Sequence, residues 1–449
     1  MVLTMYVRIK SILLLFTAAI FLLQVGCSGS KTVNQNEVAG QEYINGSTAG
    51  PPQVNFETFR DQGKLAFIWD GRLYVLNGDS GTLDKLSEPG KASKLKWSAD
   101  GQWLAYVNGD NQLQITRTDG TEFYEVAGLK ESMYNAPDFA WSPAANVLAV
   151  VPDVKKRDIY LIQPGETPLQ LTDVYTGASS FCWALDGKTI AYVDTLPYDP
   201  NDPVNRVDVL HKIPAEGGEA ARLYTAEGAA IRLAGWQPDK KEVLFWLSPG
   251  HSASAMADGL KLYTVPLTGG KSQAIATTLV YPEWLTWSKD GTKLLAVAGS
   301  GREIWKNKSL SLFTPQTGSC VNLPQRTDTV RLYPDWSNKG DMFCFLEAPD
   351  LSNGNGENSI SNWRQARALG IANADGTGAR PLDEAGTGLG RPLWSRDGEH
   401  ILYLKDSIVW LIDISGGTPV RIVGPFPGEN KYGYYGLISW GDEIAYFRD

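Results

Sequence analysis

The chain has 449 residues, a net charge of −9 at neutral pH, 11% aromatic residues and 46 glycines. Lysine and arginine are scattered and form no basic stripe, which argues against nucleic acid as a partner. Long runs of strong helix formers are absent, whereas Gly, Asp and Asn recur at short intervals, a composition typical of an all-β protein.

The N-terminus has the pattern of a secretory signal. Basic residues precede an apolar run that is shorter than the roughly 20 residues of a membrane-spanning helix, so residues 1–26 are expected to form an export signal. The ending Gly-Cys resembles the lipobox of bacterial lipoproteins, which implies lipidation of Cys27, although Gln24 stands where that box has leucine. An ordinary cleaved signal or an uncleaved anchor is the alternative. Each possibility places the folded part outside the cytoplasm.

The next segment, residues 27–52, is rich in Gly, Ser, Asn and Thr and has almost no apolar periodicity. Such a composition buries too little apolar surface to offset the entropy of ordering, so it predicts a flexible tether. The remaining residues, 53–449, carry the strand-like segments and are predicted to form one domain. Contact with the membrane is expected through the lipid anchor only.

A short motif recurs eight times along this domain, with the form LKWSADGQWLAYV at residues 95–107. The tryptophan ends one strand (strand a), and Ser-x-Asp-Gly reverses the chain because Ser and Asp bond local backbone and Gly accepts a positive φ. The apolar run that follows is strand b, and strands c and d come after a loop and a second glycine turn. The repeat tryptophans are Trp97, Trp141, Trp183, Trp236, Trp287, Trp336, Trp394 and Trp440, at spacings of 44, 42, 53, 51, 49, 58 and 46 residues.

A repeat of this length with β character predicts a single β-propeller of four-stranded blades. The pattern WSxDGxxIAY, followed by strands such as DIYLI, resembles the repeat of TolB and related WD-repeat-like propellers of bacterial envelopes. The resemblance runs from about residue 63 to the C-terminus. It implies the fold, whereas function depends on sites carried by the fold. TolB also has an N-terminal α/β domain, for which the expected tether leaves no room. The repeat tryptophans are expected to pack between blades.

The number of blades depends on the two ends of the domain. The segment KLAFIW, near residue 64, begins a set of strands b, c and d without a tryptophan strand. The segment GLISWGDEIAYF, at the C-terminus, is interpreted as strands a and b, with EIAYF as strand b. Seven complete units lie between, so the fragments predict an eighth blade that is closed by pairing the N- and C-termini. Seven blades is the alternative, and the interpretation leaves one strand b too many.

The b–c loops differ from unit to unit, unlike the short turns. They are enlarged in four successive units, at 194–206, 248–259, 298–308 and 347–367. Because consecutive units are neighbours in a propeller, these loops predict a raised wall, here called the loop wall, on one face. The alternative is that long surface loops are merely tolerated. The candidate binding residues in the wall are of types that anchor interfaces, although each type taken singly is more often a packing residue or a solvated side chain: Tyr198, Arg206, Arg302, Trp305, Trp363 and Arg364.

Catalytic and metal-binding patterns are weak. Ser252 lies in a G-x-S-x-S sequence similar to a nucleophile elbow, but in a loop between two strands instead of a strand-to-helix turn. Only His211, His251 and His400 are available for acid–base chemistry. The acidic stretch 194–208 has oxygen ligands that suit calcium, although its spacing matches no EF-hand and a solvated acidic loop is favoured. No catalytic residue, metal or cofactor is therefore predicted.

Three cysteines follow Cys27, namely Cys182, Cys320 and Cys344. Each lies in an apolar stretch, which favours buried thiols, and a Cys320–Cys344 disulfide is the alternative. No Cys/His cluster has the spacing of a zinc site.

These patterns favour an exported, lipid-anchored and monomeric propeller that acts as a non-catalytic binding or assembly module of the bacterial cell envelope. Its partner is expected to be another envelope protein or a peptide that binds the loop wall. The alternative is an enzyme or carbohydrate-binding protein with its site in the central channel. Prolyl-oligopeptidase relatives use a similar propeller as a gate, but their hydrolase domain has no counterpart in this sequence.

Overall fold

The computed structural model describes residues 5–7, 50–88, 90, 92–126, 137–152, 157–173, 177–196, 206–238, 241–249, 255–353, 357–427 and 443–448. Nearly all regular structure in these residues is antiparallel β-sheet, as the composition predicts. The helices are α1 (Ala255–Asp258), α2 (Glu357–Ala366) and the 3₁₀ turns Pro282–Trp284, Leu351–Asn353 and Asp383–Ala385. No helix in this part of the chain is long and apolar enough to cross a membrane.

The described strands group into eight units, each with four antiparallel strands in the order a-b-c-d. Units 4 and 5 share one parallel residue pair, which joins them into one larger sheet. The strands are, for unit 1, Ile444–Phe447, Lys64–Trp69, Arg72–Asn77 and Thr82–Lys85; for unit 2, Ala92–Trp97, Trp103–Asn108, Leu113–Arg117 and Phe123–Val126; for unit 3, Asp138–Trp141, Leu148–Val151, Tyr160–Ile162 and Leu169–Gln170; for unit 4, Ala178–Trp183, Thr189–Thr195, Val207–Pro214 and Ala221–Glu227. For unit 5 they are Ala229–Trp236, Glu242–Pro249, Leu260–Pro266 and Gln273–Thr278; for unit 6, Leu285–Trp287, Leu294–Ala298, Ser309–Thr314 and Ser319–Asn322; for unit 7, Thr329–Trp336, Met342–Pro349, Ala368–Asn373 and Arg380–Pro381; for unit 8, Leu393–Trp394, His400–Lys405, Ile408–Asp413 and Val420–Val423.

The grouping confirms the predicted all-β propeller of four-stranded sheets. It concerns the described strands, so the total number of blades stays a prediction. The short strand Met5–Val7 pairs with the outer strand Phe123–Val126 of unit 2. These three residues belong to the segment expected to form the export signal, outside the domain, and here they extend one sheet edge.

Unit 1 combines residues from the two ends of the domain. Its strand a, Ile444–Phe447, pairs antiparallel with Lys64–Trp69. The interpretation of this C-terminal segment as strand b is therefore wrong, and the correction removes the surplus strand b. The error arose because an apolar β-rich run has the same appearance in either position. Tyr446 faces Leu65, the register position that Trp97 occupies opposite Leu104 in unit 2.

Five of the repeat tryptophans donate a hydrogen bond to a neighbouring unit. The indole N–H of Trp141 donates to the carbonyl oxygen of Lys96, the residue before the tryptophan of the preceding unit, at 3.0 Å. Further bonds of this kind run from Trp97 to Ala445 at 3.1 Å, from Trp183 to Ala140 at 3.0 Å, from Trp236 to Cys182 at 3.2 Å and from Trp336 to Thr286 at 3.0 Å. Trp440 lies outside the described residues. In these five units the tryptophan contributes a polar contact between units as well as apolar area, whereas the buried indole N–H of Trp394 makes no such bond to a described residue.

The Ser-x-Asp-Gly sequence forms the tight a–b turn that its residue types predict. The Ser98 hydroxyl donates to Asp100 at 2.7 Å and accepts the Trp103 N–H at 2.9 Å, while Asp100 also accepts the Gln102 N–H. Gly101 has φ +62°, and a Cβ there would collide with the ring of Phe447. The a–b and c–d turns thus lie at one end of the strands, here called the turn face, and the b–c and d–a loops lie at the other, the loop face.

The C-terminal residues are fixed by a charged contact as well as by strand pairing. Arg448 donates to both carboxylate oxygens of Asp335 in unit 7, at 2.6 and 3.1 Å, and also to the Trp394 carbonyl in unit 8. Asp335 accepts a further hydrogen bond from the Trp394 N–H at 2.8 Å. Units 1, 7 and 8 are therefore joined by one buried carboxylate. The largest apolar cluster of the described residues lies in the same region, across units 6 to 8.

Candidate functional site

The loop face is uneven, as the loop lengths predict. The described part of the loop wall consists of residues 194–196 and 206 in unit 4, 248–249 and 255–259 in unit 5, 298–308 in unit 6, and 347–353 and 357–367 in unit 7. The unit 8 connection at Asp406 and Ser407 is, by contrast, a two-residue turn with positive φ at both positions. The enlarged loops thus concentrate on one sector of this face.

Hydrogen bonds join the wall loops of units 5 and 6. The Gly301 N–H donates to the Asp258 carbonyl at 2.6 Å. The Arg302 guanidinium pairs with the Asp258 carboxylate, with Nε at 2.7 Å and Nη2 at 2.6 Å. Because both groups are partly exposed, this ion pair contributes more to geometry than to stability.

A second set of contacts joins the wall loops of units 6 and 7. The Leu351 N–H donates to the Trp305 carbonyl at 2.9 Å, and the Asn307 N–H donates to the Asp350 carboxylate at 3.0 Å. The Trp305 ring meets the Trp363 ring edge-on, at 6.1 Å between centroids. The three loops therefore form one bonded surface.

Helix α2 supplies an anchor for this surface. Trp363 is only 2% exposed, and its indole N–H donates to the Pro349 carbonyl at 2.9 Å. The Arg367 guanidinium lies over the same ring, 5.6 Å from its centroid. Trp363 therefore packs the helix onto the sheet. Although Trp363 is one of the predicted binding residues, its side chain is buried and does not face solvent.

Lys308 organises the unit 6 loop from below. Its side chain is buried, and Nζ donates to the carbonyl oxygens of Ser300, Gly301 and Lys306 at 2.9, 3.1 and 2.8 Å. Burial lowers the pKa of Lys308 to about 8, against the opposing effects of Glu303 and Asp350. The loop has no strand pairing to satisfy these three carbonyl groups, and the single ammonium group of Lys308 binds all of them.

The six predicted binding residues are only partly brought together. Arg302, Trp305, Trp363 and Arg364 lie in the connected loops of units 6 and 7, whereas Arg206 lies apart, in unit 4. Arg206 pairs with the buried carboxylate of Asp208, at 2.7 Å from Nε, and its Nη2 donates to the Thr195 hydroxyl. Tyr198 lies outside the described residues.

Sequence reasoning missed an ion pair beneath the wall. Arg331 and Glu347 are opposite each other in the unit 7 hairpin and pair at 2.8 Å. Both are largely buried, and Arg331 also stacks on the Phe345 ring, 4.5 Å from its centroid. Glu347 pairs in addition with the exposed Arg326. In the sequence, Arg331 and Glu347 are opposite charges at similar distances before and after the Ser-x-x-Gly turn. Recognising them as a pair requires the register of the two strands, which the sequence alone does not provide.

The acidic stretch expected as a solvated loop, with calcium as the alternative, is described only in part. Asp208 accepts hydrogen bonds from Arg206 and Thr195 and from the Ile231 N–H at 2.9 Å. Its oxygens are therefore committed to protein donors. No group of three or more potential metal-ligating side chains occurs within the described ranges.

The remaining candidate residues have structural surroundings. His211 stacks on Tyr192 at 5.2 Å, and burial lowers its pKa. His400 binds Asp397 through Nδ1 at 2.7 Å, and this contact raises the pKa of His400. Ser252 and His251 lie outside the described residues.

The cysteines are not paired. Cys182, Cys320 and Cys344 are free thiols, so the alternative of a Cys320–Cys344 disulfide is wrong. Cys344 is buried in strand b of unit 7, as expected. Cys320 is exposed on the outermost strand of unit 6, where an edge strand leaves one side chain in solvent despite its apolar neighbours. The expectation of a buried thiol is wrong at that position.

No protein-family model matches the chain, and no curated protein matches its sequence. Solved structures do match. A eukaryotic initiation factor is 12% identical, with 85% of this chain and 89% of that chain covered and a TM-score of 0.53. Dipeptidyl peptidase 4 of Porphyromonas gingivalis is 12% identical, with 79% and 56% covered and a TM-score of 0.53. TolB from Acinetobacter baumannii is also matched, at 17% identity, 70% and 76% coverage and a TM-score of 0.35. At these identities the similarity concerns the fold alone.

Proposed function

We propose that this chain is a membrane-tethered lipoprotein of the bacterial cell envelope, and that its propeller is a non-catalytic binding or assembly module for a protein or peptide partner. The partner binds the loop wall. The observation that carries the proposal is the bonding of three successive wall loops to one another, through Asp258, Arg302, Trp305 and Asp350. A preorganised surface loses less conformational entropy on binding than separate mobile loops would.

The charges near the inner strands are consistent with a structural role. Asp335 is shared by Arg448 and Trp394, and Arg331 is paired with Glu347. A catalytic acid or base must instead reach a substrate atom. The alternative function, an enzyme or carbohydrate-binding site in the channel, has no comparable observation in its favour among the described residues.

Site-specific photo-crosslinking in the native host tests the binding face. A photo-reactive residue is placed at Gln365, an exposed position of α2, and in a matched chain at Glu399, an exposed position of the turn face. A discrete crosslinked partner from position 365, absent from position 399, is expected. Equal products from both positions, or none from position 365, would contradict the proposal.

The wall variant Arg302→Ala sharpens this test. It removes the ion pair with Asp258, in which the two side chains are 38% and 48% exposed, and a pair this exposed contributes about 1 kcal/mol or less to stability. The yield of the crosslink from position 365 is expected to fall while the unfolding midpoint stays nearly unchanged. The matched control is Lys339→Ala, which breaks an exposed pair with Glu399 on the turn face and should leave the yield unaltered.

The membrane anchor is tested separately. In the proposal Cys27 carries the lipid, so Cys27→Ala should abolish incorporation of labelled fatty acid and release the protein from the membrane fraction. Retention of the label in Cys27→Ala would contradict lipidation at this residue. The result does not affect the crosslinking experiment, because the wall lies in the folded domain.

A further inference from the structure

Two buried hydrogen-bond donors between units 6 and 7 have no acceptor. The Tyr333 hydroxyl and the Trp284 indole N–H are both enclosed and without a hydrogen-bond partner. Tyr333 is 2% exposed and Trp284 is fully buried. Their rings meet edge-on, 6.2 Å apart. Folded proteins rarely leave buried donors unpaired, so each such group calls for an acceptor that occupies the site.

Charged groups of both signs act on the Tyr333 hydroxyl. Among charged groups Arg367 has the largest electrostatic effect on the Tyr333 hydroxyl, followed by Glu283 and then Arg391. The guanidinium of Arg367 is buried against the Trp363 ring. Burial raises the pKa of Tyr333, so the phenol keeps its proton and acts as a donor at neutral pH. Neutral donors beside a buried cation are the groups that bind an anion.

The backbone conformation at Tyr333 is shared with unit 2, whereas the buried tyrosine side chain is specific to unit 7. Tyr333 has φ +52° at a bulge in strand a, and Lys94 has φ +56° at the corresponding bulge of unit 2, also three residues before the repeat tryptophan. The bulge therefore belongs to the repeat. Lys94 is half-exposed, whereas the same backbone position in unit 7 directs a tyrosine into the interior.

We propose that Tyr333 in strand a of unit 7, Trp284 just before strand a of unit 6 and Arg367 just after α2 form a binding site for a carboxylate. A carboxylate offers acceptors only, and its four lone-pair sites match the phenol O–H, the indole N–H and the guanidinium. Glu283 reduces the positive potential at the site, which favours a monoanion over a phosphate dianion. The site goes beyond the proposed partner binding, because Tyr333 and Trp284 lie outside the loop wall and Arg367, the last residue of the wall, makes none of the contacts that join its loops to one another.

Acetate is the probe for this site. In protein labelled with ¹⁵N at the tryptophan indoles, the resonance of Trp284 is assigned by its loss in Trp284→Phe. Acetate is expected to shift this resonance saturably, whereas acetamide and sodium chloride at equal concentration are not. Tyr333→Phe should weaken acetate binding about tenfold or more, the loss expected for one hydrogen bond to a charged group. If the chemical shift of the Trp284 indole does not change with acetate, or changes equally with acetamide, the proposal is overturned and a buried water is the acceptor.

Tyr106→Phe is the matched control. Tyr106 is as buried as Tyr333 but lies in unit 2, so its loss should leave acetate binding unchanged. If Tyr333→Phe does not fold, the rise in melting temperature with acetate is compared between wild type and Trp284→Phe. An equal rise in both chains would contradict the site.

A second experiment distinguishes two sources of the carboxylate, the C-terminus of a peptide and a small free acid. A short peptide with a free C-terminal carboxylate is compared with its amidated form and with acetate. Tighter binding of the free-acid peptide than of acetate identifies a peptide-borne carboxylate, and binding of acetate alone identifies a small free acid. Equal binding of the free-acid and amidated peptides would show that the carboxylate is not recognised.

Discussion

The turn face and the loop face of this domain use their residues in opposite ways. On the turn face one local solution recurs: the Ser98–Asp100 hydrogen bond is repeated at Ser288–Asp290 and at Ser395–Asp397. On the loop face each contact occurs once, as in the three carbonyl bonds of Lys308 or the ring contact of Trp305 with Trp363. Contacts that recur maintain the fold in every unit. Contacts that occur once shape a particular surface, and that is where a specific function is expected.

Of the variants that test this comparison between the two faces, those at the repeat tryptophans should lose the most stability. Trp336→Ala should lower the free energy of unfolding by about 3–5 kcal/mol, since Trp336 is 2% exposed and donates to the Thr286 carbonyl. Trp305→Ala, at a half-buried wall position, should cost clearly less while reducing the crosslink from Gln365. Denaturant unfolding of both variants is the measurement. Equal losses of stability would remove the distinction between the faces.

The buried carboxylate that joins units 1, 7 and 8 has the next largest expected effect. Asp335→Ala leaves Arg448 and the Trp394 N–H without their acceptor. The loss should be about 2–4 kcal/mol, below the range for fully buried pairs because the Arg448 side chain is 27% exposed. Asp79→Ala, which breaks the exposed pair with Arg396, is the control and should cost less than about 1 kcal/mol. A similar cost for both would show that the C-terminal strand does not depend on this contact.

Lys308 provides a pH-dependent test of the loop wall. Its pKa is about 8 in the folded protein and about 10.4 in an unfolded chain. Between these values the unfolded chain binds more protons, so stability rises as the pH increases from 8 to 10.4, by an amount on the order of 2–3 kcal/mol. Lys308→Met should lack this rise. Unfolding of both proteins at pH 7.5 and pH 10 measures the difference, and parallel pH profiles would be inconsistent with the assigned pKa.

The smallest expected effect belongs to His400 on the turn face. The contact with Asp397 raises the pKa of His400, so its stabilisation is fully present below the unfolded pKa of about 6.5. It is lost as the pH rises through the higher folded value. His400→Gln should therefore cost about 1 kcal/mol or less at pH 5 and almost nothing at pH 9. Thermal unfolding at the two pH values tests this sign, and a larger cost at pH 9 would contradict it.

The sequence predicted what depends on local pattern. The turn at Ser98 and the strands around the repeat tryptophans from Trp97 to Trp394 follow from residue types and spacing, and the structure agrees. The C-terminal strand was misassigned because apolar β-runs look alike, and only pairing with Lys64–Trp69 identifies it as strand a. Trp363 could not be recognised as buried, since its exposure depends on how α2 packs on Pro349.

The candidate carboxylate site was beyond sequence reasoning for a similar reason. Tyr333 is one of 19 tyrosines, and nothing in its neighbours along the chain marks it. Tyr333 becomes a candidate only because of its neighbours in space. These are Trp284, which lies 49 positions away in the preceding unit, and the buried Arg367 at the end of α2. Residues brought together by packing between units carry no signal in one sequence.

The position of the C-terminal strand also bears on how the domain is made. Tyr446 and its partner Gln62 are 384 positions apart, so the sheet begun near residue 64 lacks its inner strand until the chain has been synthesised as far as Ile444–Phe447. Contacts this distant in sequence form late and slowly. For a protein that is exported, as proposed here, this delay is useful, because a chain that cannot complete its first sheet early can still cross the membrane in an extended, unfolded form. The ring then closes only on the far side.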